Sequence, residues 1–320
     1  MKTINKLITL FMMATAISAY AADNNGWATT TETLNAFVKA NNRAGYVKPI
    51  IDNIGNVLNS NWFSGSTIDK GFAFEAGMPF ALVPIGDDDK VYKSPYSNNK
   101  IPSIFGRRCR ADEDCNNGTI YGNETLNGLP LFTYPYMQMG FSFYHARLVL
   151  RGMWLPAISE LQGFNLWGAG LQYSFGHLYK KDKNAVKSLD ISLLFGYNSS
   201  TVKYQPKEYK SPLVLDITAL TADVIIGYKP IKEMEIMATF GYQYTNMDAS
   251  GKMTQKDEYK YLVPEIKPDQ SVQGNSGFKF GIEMAFTLGN MFHPVVGFDY
   301  AGKSSFTTNL LYFKQQNGKE

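Results

Sequence analysis

Apolar and polar residues alternate with a period of two over most of this chain. In residues 277–288, GFKFGIEMAFTL, the odd and even positions separate cleanly. Phe278, Phe280, Ile282, Met284, Phe286 and Leu288 share one face; Gly277, Lys279, Gly281, Glu283, Ala285 and Thr287 share the other. Residues 234–244 repeat the pattern, with Met234, Ile236, Ala238, Phe240, Tyr242 and Tyr244 opposite Glu235, Thr239, Gly241 and Gln243. Successive side chains of a strand point to opposite faces, so each segment has one apolar face and one small or polar face. The same alternation marks 72–82, 137–143, 146–154, 165–176, 189–197, 218–228, 292–300 and, more weakly, 304–313.

These segments predict ten strands. Each is about ten residues long, which is what a tilted strand needs to cross the hydrocarbon layer of a bilayer. An even count suits a single-chain bacterial barrel with both ends on the periplasmic side. The connections test this independently. The longest, 83–135, 199–215 and 246–274, all fall on one side; tight ones at Tyr144-His145, 229–233 and 289–291 fall on the other. A soluble β-sandwich would show the same period. Aromatic residues at the strand ends and glycine-rich opposite faces favour the membrane form. The expected fold is therefore all-β: an antiparallel transmembrane β-barrel of about 10 strands, preceded by a short α-helical segment.

That segment, residues 27–63, has a different period. Leu34, Phe37 and Val38 are spaced as on a helix, and Asn41-Asn42 suggests a stop. Pro49 is expected to open a second short helix through Ile50, Ile51, Ile54, Val57 and Leu58. Both helices are amphipathic and would form a plug or a periplasmic cap. Before them, Lys2 and Lys6 precede an apolar run from Leu7 to Ile17, followed by Ala19-Tyr20-Ala21. This is the pattern of a secretory signal cleaved after Ala21. The expected organisation is a signal peptide (1–21), a helical segment (22–66), a barrel (67–313) and a tail (314–320). The expected location is the outer membrane of a Gram-negative bacterium, with outer-membrane lipid as the one definite partner.

Charge changes the picture inside the barrel. The non-apolar faces carry Glu75, Arg147, Arg151, Asp190, Asp223, Glu235, Lys279, Glu283 and Asp299. On a lipid-facing surface such charges would cost about 2–4 kcal/mol each near the midplane, so they must point inward. Two readings stay open: paired charges that fill a narrow barrel, or a slightly acidic passage for a solute. The net charge of the whole chain is only +3, and nothing argues for a nucleic-acid partner.

No enzyme chemistry is indicated. His145, His177 and His293 sit at expected turns or strand ends, and none belongs to a nucleophile–base–acid motif. There is no phosphate-binding loop, no HExxH and no CxxC, and no cofactor is implied. The two cysteines, in CRADEDC, lie in the longest outer connection. In an exported protein Cys109 and Cys115 are expected to form a disulfide that restrains this loop. Asp112, Asp114 and Asn116 have alternating oxygen spacing, which is a weaker, calcium-binding reading. The following glycine, Gly118, is one place late for an EF-hand, and Asn123 stands where a glutamate is required. Arg107, Arg108 and Arg110 make this a loop of mixed charge.

The stretches GYVKPIIDNIGNVLNSNWFSGS (45–66), GFAFEAGMPFALVP (71–84), RLVLRGMWLP (147–156) and FNLWGAGLQYSFG (164–176) carry a resemblance. Together they resemble an uncharacterised outer-membrane β-barrel family, a domain of unknown function from Bacteroidota- and Fibrobacterota-type bacteria. In style it is distantly similar to FadL-type hydrophobic-solute transporters, which have an N-terminal plug. The resemblance implies a barrel with a plug, and it brings no catalytic residues. Many such barrels end on an aromatic residue; here Phe313 fits that place, yet KQQNGKE follows it. The expected function is binding or passage of a small solute, including a hydrophobic one. The rival is a closed structural or surface-interaction barrel without transport.

Overall fold

In the computed structural model most of the alternating segments are hydrogen-bonded strands. The structure describes residues 26–95, 99–108, 120–133, 136–179, 188–289, 292–309 and 313–317, the last stretch as backbone alone. After two helices, α1 (Thr30–Asn35) and α2 (Ala44–Asn59), come β1 (Phe72–Gly77) and β2 (Phe80–Pro84). A small hairpin, β3 (Val91–Lys93) with β4 (Lys100–Pro102), lies in the first long connection. The main sheet continues with β5 (Leu131–Thr133), β6 (Met137–Phe143), β7 (Ala146–Leu155), β8 (Leu161–Ser174) and β9 (Leu189–Tyr204). It ends with β10 (Leu213–Ile231), β11 (Met234–Ser250), β12 (Ser271–Gln273), β13 (Gly277–Phe286), β14 (Val295–Tyr300), β15 (Ser304–Asn309) and β16 (Phe313–Asn317). Every pairing among the described strands is antiparallel, and the result is one large curled sheet.

The central strands run well past their expected ends. Strand β10 was expected over 218–228 and spans Leu213–Ile231; β9 continues to Tyr204 and β11 to Ser250. The apolar residues change parity along them. On β10, Leu220, Val224, Ile226 and Tyr228 point outward and are exposed, whereas Leu213, Ile217 and Ala219 point inward and are fully buried. The register from Leu213 to Tyr228 against β9 has no bulge, so the strand itself does not turn over. Only the hydrophobic residues swap faces. Strand β11 switches between Tyr242, which is exposed, and Met247 and Ala249, which are buried; β9 switches between Phe195 and Val202 with Tyr204. The curl thus has two tiers. Next to the tight turns it is apolar outside and polar inside. Next to the long connections it is polar outside and apolar inside.

The apolar inner tier is filled by the N-terminal helices. Thr29 caps α1 in a capping box with Glu32, an arrangement that satisfies two otherwise free helix-end donors. Asn42 then adopts a left-handed conformation (φ 50°) that separates the 3₁₀ turn Lys39–Asn41 from α2. Helix α2 begins at Ala44, ahead of Pro49, and the proline lies inside it. This corrects the expected start: Tyr46 and Val47 are completely buried in the core, and that burial outweighs the backbone bond Pro49 cannot make. Leu34, Phe37, Ile51, Val57 and Leu58 pack with Phe164, Val202, Ile217 and Met247 of the wall. The backbone at the far end also differs from expectation. Pairing runs past Phe313 to Asn317 opposite Phe72, so the residues set aside as a tail begin within a strand.

The parity switch gives a direct test. Ile217→Asn should destabilise the folded protein by at least about 2 kcal/mol by burying an amide in the apolar tier. Its outward neighbour, Thr218→Asn, should stay within about 0.5 kcal/mol of the parent. Thermal or urea denaturation of the two variants side by side measures this.

Candidate functional site: the polar inner tier and its strap

Below α2 the chain continues as a strap, residues 60–68, which with the last turn of the helix lies against the polar inner tier and leads to β1. Helix packing cannot hold an irregular segment, so its backbone groups need other partners. The wall supplies them. Arg151 donates to the carbonyl oxygens of Leu58 (2.7 Å) and Ser60 (2.6 Å), and through Nε to Gln138. Its guanidinium stacks on the Trp62 ring at 3.6 Å and on the Tyr136 ring at 4.6 Å. Arg147 donates to the carbonyl of Gly65 (3.2 Å) and forms an ion pair with Glu75 (3.0 Å). Lys279 donates to the carbonyl of Asn59 (2.8 Å) and pairs with Asp223 (2.8 Å). Asn198 and Gln172 bind the carbonyls of Leu58 and Gly65. Glu235 works in the opposite sense, accepting the backbone N–H and the hydroxyl of Ser66.

All nine charged residues expected on the inner faces are buried. The structure gathers Glu75 with Arg147, Asp223 with Lys279, and Arg151 with the strap. Asp190 accepts from the Ser174 hydroxyl and the Ile191 N–H. Glu283 and Asp299 are on neighbouring strands, two positions apart in register and so on the same face.

Space for these side chains comes from glycine. Glu75 faces Gly140, Asp223 faces Gly241, Glu283 faces Gly297 and Asp299 faces Gly281 across adjacent strands. The same device seats Trp62. A Cβ at Gly170 or Gly196 would come within 2.8 Å or 2.5 Å of its ring.

The histidines sit at the lower edge of this site. His145 and His177 stack face to face at 4.2 Å beside the tight-turn end, and the His145 ring is bonded to the Ile68 carbonyl. His293 lies by Thr287. Among the described residues no three His, Cys, Asp or Glu side chains are grouped to hold a metal. Cys109, Cys115, Asp112, Asp114 and Asn116 lie outside the described residues, as does the segment expected to be a signal peptide.

A model described as a family of unknown function, DUF6588, matches residues 1–297. The chain belongs to the DUF6588 family. No curated protein matches this DUF6588 member. Among solved structures it aligns with the Ralstonia pickettii toluene transporter TbuX at 11% identity and a TM-score of 0.26, over 78% of this chain and 90% of that one. A Pseudomonas aeruginosa FadL homologue aligns at 9% identity and a TM-score of 0.23, over 85% and 96%. Superpositions this loose carry no argument, and the DUF6588 fold is argued from its own registers.

Sequence reasoning placed the charges on the inner faces but missed what they bind. It also missed Gln138, Gln172, Asn198 and Trp62. One signal was present: Asn53 to Ile68 is an uncharged run of sixteen residues, amid a wall face rich in charge. Such a run suits a segment that accepts hydrogen bonds from that face.

The Glu75–Arg147 pair yields a prediction. Arg147→Met should destabilise by about 3–5 kcal/mol, because it leaves a buried carboxylate uncompensated. Adding Glu75→Gln to that variant should recover most of the loss. Urea midpoints of the parent, both single variants and the double variant measure the coupling.

Proposed function

We propose that the sheet closes into a ten-strand outer-membrane barrel, that residues 26–71 plug it, and that it is a gated passage for a small polar solute. Closure is supported by the pairings at the sheet's two ends. Strand β1 pairs with β6 on one side and β16 on the other; β2 pairs with β5 and β15. Taking β1–β2, β5–β6 and β15–β16 as three interrupted strands gives a ring of ten. Pro79 explains one interruption, since it cannot donate to a ladder.

The parity switch carries the membrane reading. Leu220, Ala222, Val224, Ile226 and Tyr228 face outward in sequence on β10, and Ile236 to Tyr244 do so on β11. The polar pairs Thr218 with Asn246 and Asp216 with Asp248 follow on the same outer face. Eight residue steps at about 3.3 Å make an apolar band about 26 Å long along the strand, close to the ~25 Å band of outer-membrane barrels before tilt is counted. Trp167, Tyr197, Tyr242 and Tyr244 lie near its upper edge, where aromatic side chains prefer the interface. A water-facing surface would not hold so many exposed apolar side chains in one continuous belt.

The passage reading rests on the strap. It is an uncharged segment held mainly by side-chain donors, so it can leave without carrying charge out of the wall. The charged lining suits a polar solute better than the apolar one the family resemblance implied. The second reading, a permanently sealed barrel that presents its outer loops, is favoured by the apolar core that joins α1 and α2 to the upper wall.

In this reading the protein fractionates with outer membranes, resists extraction by carbonate, and runs as a heat-modifiable band. Trp62→Ala should loosen the strap. Proteoliposomes of that variant should swell in a small polar solute at least several-fold faster than those of the parent. Equal and negligible rates for both would favour the sealed barrel.

A further inference from the structure

We propose that the passage, once the strap has moved, selects small inorganic cations, and that Glu283 and Asp299 set that selectivity. The proposal rests on the plugged-barrel reading. Its first support is a count of buried charge. Among the described side chains the inner wall holds six acids, Glu75, Asp190, Asp223, Glu235, Glu283 and Asp299, against three bases, Arg147, Arg151 and Lys279. The strap contributes no charged side chain, so its departure leaves an excess of three acids among these side chains. A narrow channel with low-dielectric walls focuses such a field on anything that enters.

The second support locates the excess. Arg147 is matched by Glu75 and Lys279 by Asp223. Glu235 reaches Lys229 at the tight-turn mouth. Arg151 is committed to backbone carbonyls and two aromatic rings. Glu283 and Asp299 therefore form no close ion pair among the described residues, and Lys279 and Arg151 act on them only from a distance. Oε2 of Glu283 is buried and makes no hydrogen bond among the described residues, and neither does the buried hydroxyl of Thr307.

These two groups converge. Glu283 and Thr307 both lie opposite Gly297 in register. A Cβ at Gly297 would stand 2.4 Å from Cγ of Glu283 and 2.8 Å from the Thr307 hydroxyl. Two carboxylates and a hydroxyl offer oxygen donors of the kind that suit hard cations, with Lys279 on the same strand face held to Asp223 and Asn59. Rings of acidic side chains are a common means of cation selection in pores.

The probe is potassium chloride across a planar bilayer containing the full-length protein, with urea added to loosen the strap. The expected result is a reversal potential of the sign that marks potassium as several-fold more permeant than chloride. E283Q/D299N should bring that ratio close to one while conductance remains. D216N, on the outer face above the belt, should leave it unchanged. E283Q alone, which preserves shape, serves if the double variant does not assemble into a heat-modifiable form. Anion selectivity, or selectivity indifferent to E283Q, would overturn the inference and leave the passage standing. Absence of conductance in the parent and in Trp62→Ala would overturn the passage reading itself, and this inference with it.

Discussion

Arg151 is the hinge of this structure. Its guanidinium lies over Trp62, contacts Tyr136, and binds the carbonyls of Leu58 and Ser60 on either side of the point where α2 becomes the strap. A buried arginine without partners would be prohibitively costly, and an irregular strap without donors would be nearly as costly. Each cancels the other's desolvation. Charge-assisted hydrogen bonds contribute about 1.5–3 kcal/mol each, and a desolvated cation–π contact about 2 kcal/mol. The position of Trp62 then follows, and with it the need for Gly170 and Gly196 on the facing strands.

The same constraint divides the interior into two chemistries. Where the chain is helical, its backbone is satisfied internally and the wall can be apolar; there α1 and α2 bury Leu34, Tyr46 and Ile51. Where the chain is a strap, its carbonyls need donors and the wall must be polar. The outer face is inverted at nearly the same height. Continuous strands carry both halves because alternation lets either face change character without a bulge. An N-terminal segment that is helical above and extended below thus matches a wall that is apolar above and polar below.

Much of this was legible before the structure. Period-two alternation located most of the strands, and the even charge distribution on the non-apolar faces marked the nine buried residues. The parity change was legible too, in Leu213, Leu215, Ile217 and Ala219 followed by Leu220, Ala222 and Val224, but an alternation template that fixes one apolar parity per strand stops at the switch. That is why β9, β10 and β11 were cut short. The start of α2 was misread because a proline signal was weighed without the burial of Tyr46 and Val47. Beyond its lack of charge, the role of the strap was not legible: the side chains that bind its carbonyls are more than seventy residues away in sequence, and backbone carbonyls leave no trace in side-chain identity. The glycines opposite the acids were visible only once the register paired them.

The chemistry of the wall also limits what could pass. A route for a hydrophobic molecule needs a continuous apolar surface. The apolar inner surface of the upper tier is already occupied by α1 and α2, and the lower tier presents Gln138, Gln172, Asn198 and nine charges. An apolar solute would have to displace the helical core and then cross a face to which it offers no hydrogen bonds. A small cation faces the reverse situation: the strap's main-chain groups can be exchanged for water, and the wall's surplus of carboxylates stays in place to receive it. Displacing only the strap, and keeping the helical core folded above it, is the smaller rearrangement, because it breaks hydrogen bonds that water can replace and leaves the apolar burial intact.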